Sequence, residues 1–206
     1  MSHLDLPLHR YVAFEGIEGA GKSTVVRRVA AALRDDAEVT VVREPGGTPT
    51  GERIRSILLD GETHLAPWAE ALLFAAARAQ LTAEVVAPAL ADGRWVLTDR
   101  SVYSSLAYQG GGRGLGVAEV RAVNEPGLRG VWPGVVVLLD VDVDVGIARQ
   151  EVADRIGGEG AAFLSAAAAT FRSIAAQEPD RFIVVDASGP VDDIVDVVLA
   201  RLGATR

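Results

Sequence analysis

The chain has 206 residues, about half of them apolar, with a net charge of −8 and a pI near 4.9. That suits one domain with a sizeable core, and the acidic balance argues against a nucleic-acid polymer as partner, which would need a basic face. There is no cysteine, no apolar run of about 18 residues and no apolar leader in Met1 to Arg10, so disulfides, thiolate metal sites, a membrane span and a secretory signal are not expected, and a cytoplasmic soluble enzyme is the simplest class.

In chain order, short apolar β-rich runs predict strands at Tyr11–Phe14, Val39–Val42, Trp95–Thr98, Val135–Asp140 and Phe182–Asp186. Between them, helices are expected over Lys22–Leu33, Gly51–Leu59, Pro67–Ala91, Val102–Tyr108, Val117–Leu128, Val143–Ala148, Ala161–Gln177 and Val191–Leu202. Pro88 should end or kink its helix. The run Gly110-Gly111-Gly112 reads as a flexible loop. Strands apolar on both faces, alternating with helices along the whole chain, imply a doubly wound α/β fold with a parallel sheet, in one domain over residues 1–206. Such sheets gather ligands at the carboxyl ends of their strands.

The most specific local signal is Gly16-Ile17-Glu18-Gly19-Ala20-Gly21-Lys22-Ser23, a G-x-x-x-x-G-K-S phosphate loop, followed by Thr24. A strand precedes it and a helix follows, as the chemistry requires. The glycines let backbone N–H groups turn toward a phosphate chain, and the helix N-terminus adds partial positive charge. Lys22 would reach the outer phosphates and Ser23 would hold magnesium, the only metal implied. A nucleoside triphosphate is the expected ligand.

This loop is followed in order by Arg43-Glu44-Pro45-Gly46-Gly47-Thr48, Leu73-Phe74-Ala75-Ala76-Ala77-Arg78, Asp99-Arg100 and Ala107-Tyr108-Gln109-Gly110-Gly111-Gly112-Arg113-Gly114. Together these segments closely resemble bacterial thymidylate kinase, a P-loop nucleoside monophosphate kinase family with a three-layer α/β/α fold and a five-stranded parallel sheet. The resemblance implies transfer of phosphate from ATP to dTMP, with Mg2+ accompanying ATP, and a homodimer whose interface could include the apolar helix Pro67–Ala91. It assigns Arg100 to the acceptor phosphate, with Arg43, Pro45 and Arg55 as further contacts, and places Asp99 beside magnesium. Phe74 would stack on thymine, and Arg78 would hydrogen-bond a base carbonyl, with Ser104 and Ser105 nearby. Tyr108 would pack against the deoxyribose, Gln109 would line the same pocket, and Glu18 would meet the sugar 3′-hydroxyl or the metal. Arg53 reads instead as solvated helix surface.

These kinases also close a mobile lid over the phosphates, with a basic residue either in the phosphate loop or in the lid. Positions 17–20 carry none, so the lid, about residues 149–160, should supply it, and Arg149 and Asp154-Arg155-Ile156 match its pattern. The segment looks about three residues short, and Gly157-Gly158 stand where an acid is usual. Pro133-Gly134 likewise stands where Pro-Asp is usual. Two alternatives stay open: a kinase for another, modified pyrimidine monophosphate, which would keep Lys22 and Arg100 but change the base contacts, or, because of the depleted lid, a nucleotide-binding protein with weak catalysis.

Overall fold

The computed structural model describes residues 6–150 and 155–203. Five parallel strands form one sheet: β1 (Tyr11–Glu15), β2 (Val39–Arg43), β3 (Trp95–Asp99), β4 (Val135–Asp140) and β5 (Phe182–Asp186), in the order β2-β3-β1-β4-β5. Strand β1 is central, pairing Phe14 with Asp99 on one side and with Val137 on the other. All five β1 residues are buried, as expected for a parallel strand covered on both faces. Strands β1, β2 and β3 each run one residue beyond the apolar run, to Glu15, Arg43 and Asp99. Hydrophobicity does not report these residues, because the backbone keeps its ladder bonds whatever the side chain, and a charged side chain at a strand end can be exposed, as Arg43 is, or met by buried donors, as Glu15 is.

Helices α1 (Lys22–Leu33) and α9 (Val191–Leu202) cover one face, packing Val25, Val29, Val195 and Val198 against Val12, Phe14 and Val137. The other face is covered by α5 (Val102–Ser105), α6 (Val117–Leu128) and α8 (Ala161–Gln177), which bury Tyr103, Leu128, Leu164 and Phe171 with Val136 and Leu138. Each such aliphatic side chain contributes roughly 1.5–3 kcal/mol on burial. Helices α2 (Pro49–Leu59), α3 (Pro67–Leu81), α4 (Ala87–Ala91) and α7 (Val143–Ala148) complete the layers. The predicted three-layer architecture is therefore present. Thr48 caps α2 by accepting the Gly51 N–H at 2.9 Å, with Pro49 at the first helical position.

Two expectations change. The stretch Pro67–Ala91 is divided by a π-helical segment, Thr82–Val86, just before Pro88, and stops three residues after the proline. A wider turn at this point suits a residue that lacks an N–H donor. The run Gly110–Gly112 is not a loop. It closes a seven-residue π-helical turn, Leu106–Gly112, that continues from α5, and Gly111 and Gly112 rest directly on Thr170 and Phe163. Their lack of side chains, which suggested flexibility, is what lets this turn sit against α8.

Gly134 has an equally local reason. A Cβ there would lie 2.0 Å from the Leu8 carbonyl oxygen, in the 3-10 turn Leu8–Arg10 that precedes β1. Gly134→Ala is expected to lower stability by about 1–3 kcal/mol in urea titration, whereas Gly61→Ala, with open space around it, should stay within about 0.5 kcal/mol.

Candidate functional site

The carboxyl ends of β1, β2 and β3 open into a cavity of about 700 Å3. Its wall includes Glu18, Gly19, Gly21, Lys22, Ser23 and Thr24 from the phosphate loop, and Asp99 and Arg100 after β3. Gly19 has a φ of +75°, and a Cβ there would lie 2.1 Å from the Gly146 carbonyl oxygen, so α7 can pack on the loop only if this residue is glycine. Gly16, Ile17 and Ala20 do not line the cavity; Ile17 and Ala20 are buried in the core beneath it.

Lys22 is buried, and its Nζ donates to the carbonyl oxygens of Gly16 and Ile17 at 3.0 and 2.7 Å. Burial, with Arg100 nearby, lowers its pKa to about 8, against the pull of Asp99, Glu18 and Glu15. Ser23 donates its hydroxyl proton to the Asp99 carboxylate. The two thus present adjacent hard oxygens at the start of α1.

Arg100 takes a left-handed backbone, φ 71°, that few non-glycine residues adopt. Several bonds hold it there: its N–H donates to the Phe14 carbonyl at 3.0 Å, and its own carbonyl accepts from the Thr98 hydroxyl at 2.6 Å. The following turn is tied to the fully buried Glu15. That carboxylate accepts from the Ser101 N–H and hydroxyl, each at 2.7 Å, and from the Ser104 N–H and hydroxyl at 3.2 and 2.6 Å. So anchored, the Arg100 guanidinium pairs with Glu18 at 2.7 Å and lies 5.1 Å from the Tyr108 ring centre. The Tyr108 hydroxyl donates to the other Glu18 oxygen at 2.8 Å. Burial disfavours the Glu18 charge, but Arg100, Lys22 and the Tyr108 hydrogen bond outweigh it and hold the carboxyl below its ordinary value.

Phe74 is half-buried and lines the cavity together with Arg43, Pro45, Arg55, Ser104, Ser105, Tyr108 and Gln109. A phenylalanine used only for core packing would not be there. Arg43 is drawn to Glu52 at 3.2 Å, and Arg55 donates to the Pro45 carbonyl at 2.8 Å, across from the cis Glu44–Pro45 bond. Arg53 is exposed and outside the wall, as expected.

Arg78 is placed differently from the expectation. It is 2% exposed and absent from the cavity wall. Its guanidinium donates to Glu44 at 2.7 Å, to Asn124, to the Ser101 carbonyl at 3.1 Å and to the Ser105 hydroxyl oxygen at 3.1 Å. Burial pushes the Glu44 carboxyl up to about 7, with Arg78 pulling the other way. Arg78 thus sits behind Ser105, orienting a hydroxyl that does face the cavity.

The lid arginines also diverge. Arg149 lines the cavity, with its guanidinium on the carbonyls of Ala187 and Ser188 at 2.9 and 3.2 Å. Arg155 does not line it; it pairs with Leu58 and Glu70, on the α2–α3 side. Asp154 lies outside the described residues. Sequence reasoning missed Glu15, Glu44, Glu70 and Asn124, all buried and hydrogen-bonded to site residues. The signal was available for two of them: Glu15 ends an otherwise apolar strand, and Glu70 stands in the first turn of an alanine-rich helix.

A sequence model of the thymidylate kinase family matches residues 14–198. The chain belongs to the thymidylate kinase family. It is 42% identical to the thymidylate kinase of Staphylococcus haemolyticus over 190 residues, covering 90% of this chain and 93% of that protein. It is 45% identical to that of Thermomicrobium roseum over 197 residues, covering 93% of each. The crystal structure of thymidylate kinase from Ehrlichia chaffeensis superposes with a TM-score of 0.79 at 28% identity, covering 93% of this chain and 97% of that one. The matched residues 14–198 include the phosphate loop, the Asp99-Arg100 pair, Phe74 and Tyr108.

The depressed Lys22 pKa gives a measurable sign. A bound triphosphate would supply negative charge and raise it, so binding near pH 8 must take up protons, and affinity must fall as pH rises through 8. Calorimetric titration with ATP and magnesium in buffers of different ionisation enthalpy is expected to show net uptake at pH 8 that is clearly smaller in Lys22→Met.

Proposed function

We propose that the protein transfers the γ-phosphate of ATP to dTMP, giving ADP and dTDP. The observation that carries this reading is that Lys22, Arg100 and Glu18 line the same cavity as Phe74, Ser105 and Tyr108, with the Tyr108 hydroxyl bonded to Glu18. The cations suit phosphates, and the aromatic and hydroxyl side chains suit a base and its sugar.

The acceptor phosphate is already an anionic nucleophile, so no general base is needed. Its oxygen forms the new bond to the γ-phosphorus as the bond to the bridging oxygen of ADP breaks. Catalysis then rests on positioning two polyanions and countering their charge. Lys22 serves the donor phosphates, exchanging the Gly16 and Ile17 carbonyls for phosphate oxygens. Arg100 serves the acceptor phosphate, and Arg43 and Arg55, which line the same cavity, are further contacts. Arg149 flanks the donor side. The adjacent oxygens of Ser23 and Asp99 fit Mg2+, a hard cation that keeps few protein ligands and takes the rest from phosphates and water; among the described residues there is no cluster of three His, Cys, Asp or Glu to favour a dedicated metal cage. When bound, the ion neutralises charge on the phosphate chain.

On the acceptor side, Phe74 offers a face to thymine and Ser105, with Arg78 behind it, a hydroxyl donor. Glu18 stays ionised and can accept from a sugar hydroxyl, while Tyr108 fills the space beside it. A coupled ADP-release assay is expected to give the highest kcat/KM with dTMP, ahead of dUMP, dCMP and UMP. Lys22→Ala should cost about a hundred- to thousand-fold in turnover with an unchanged circular dichroism spectrum. Equal turnover with UMP, or an active Lys22→Ala, overturns the assignment.

We further infer a homodimer in the cytoplasm. Helices α2 and α3 leave Ile57, Trp68 and Leu72 exposed, and Trp68 and Leu72, four apart, share one helix face. No described helix is long and apolar enough to cross a membrane. Light scattering should give twice the chain mass, and Leu72→Glu should reduce it to one.

A further inference from the structure

Arg155 was expected among the phosphates, yet its contacts lie elsewhere. Its Nε donates to the Leu58 carbonyl at 2.7 Å, at the end of α2, and its Nη1 to the Glu70 carboxylate at 2.8 Å, in the first turn of α3. Glu70 is fully buried, so its charge must be met by donors. Besides Arg155 it accepts from Gln109 Nε2 at 2.9 Å and from Arg113 at 3.0 and 3.2 Å. Burial works against this carboxylate, but these donors hold it below its ordinary pKa.

Three cavity-lining residues stand one step from this cluster. Leu59 follows the carbonyl that Arg155 holds, Ile156 follows Arg155 itself, and Gln109 shares the Glu70 carboxylate. Gln109 in turn adjoins Tyr108 in the π-helical turn. Arg113, the remaining donor, is fixed from outside by Glu159 and by the Phe163 ring, 4.7 Å away. The fork of Arg155 therefore ties the lid to α2, to α3 and, through Glu70, to the turn that carries the sugar-side residues.

We propose that Arg155 is a positioning residue for the acceptor nucleotide, setting the wall of Leu59, Gln109 and Ile156, rather than a counter-charge for the migrating phosphoryl group. The proposal rests on the dTMP kinase reading given above. Without Arg155, Glu70 keeps Arg113 and stays ionised, but Gln109 loses its fixed partner geometry and the Leu58 carbonyl loses its donor. The wall loosens while Lys22 and Arg100, bonded to Gly16, Ile17 and Glu18 rather than to these groups, keep their partners.

The test is steady-state kinetics of the full chain, wild type against Arg155→Ala and Arg155→Lys, with each substrate varied at saturating levels of the other. Alanine is expected to raise KM for dTMP by about tenfold or more, with kcat and KM for ATP within about threefold. Lysine can still meet Glu70 but has no planar fork for both acceptors, so its KM should fall between the two. If the alanine variant fails to fold, the lysine variant is read on the same criteria. A large loss of kcat with KM for dTMP unchanged overturns the proposal in favour of a charge on the phosphoryl group. A lowered Tm with neither constant moved overturns it in favour of a purely structural clasp. Should the wild type show no dTMP-dependent ADP release, the assigned reaction fails, and calorimetric dTMP titration of the three proteins still decides whether Arg155 shapes an acceptor site.

Discussion

A carboxylate removed from water at the end of a central strand must be surrounded by donors, and Glu15 is met by four from Ser101 and Ser104. The same bonds hold the turn after β3 against the end of β1. That turn starts at Arg100, whose left-handed backbone costs of order 1–2 kcal/mol and persists because its neighbours on both sides are fixed. The guanidinium is thereby aimed across the end of β1 at the phosphate loop. Burial of one acid inside the sheet layer thus becomes the placement of one cation inside the cavity.

The chief donors in that cavity already have acceptors within the protein. Lys22 is held by two loop carbonyls, Arg100 by Glu18, Ser23 by Asp99. Each of these partners is an oxygen acceptor, the same kind of group that a phosphate chain presents. Exchange of one acceptor for another keeps every donor satisfied, so binding need not leave a buried group unpaired. Glu18 is the pivot, since it neutralises Arg100 and accepts from Tyr108 at once. An acid inside a phosphate loop is otherwise difficult to reconcile with bound polyanions, and here the guanidinium and the phenol stand between.

The acceptor half of the cavity is organised from behind. Arg78 touches Ser105, Ser101, Glu44 and Asn124 but not the cavity itself, and Glu70 gathers Gln109, Arg113 and Arg155 in a similar way. In both clusters a buried arginine–carboxylate pair fixes residues that do line the wall. Buried ion pairs add little net stability, because desolvation offsets their attraction. Their use here is geometric: a planar guanidinium with fixed donor directions holds several elements in one arrangement.

Periodicity and local chemistry were enough to read the sheet, the helices and the phosphate loop, because those features are written in neighbouring residues. The strand Tyr11–Phe14, the glycines of the loop, Lys22 and the apolar face of Val191–Leu202 each announce their role within about ten positions. The strand order β2-β3-β1-β4-β5 and the gathering of Lys22, Phe74, Arg100 and Tyr108 at one edge depend on pairings between distant segments. So do the places of Arg78 and Arg155. Their motifs marked them as site arginines, yet both turned to buried acids, Glu44 and Glu70, that lie 34 and 85 residues away along the chain. Residue type decides what a charged side chain can do, but the nearest compensating charge decides where it points, and only the folded chain determines which charge is nearest.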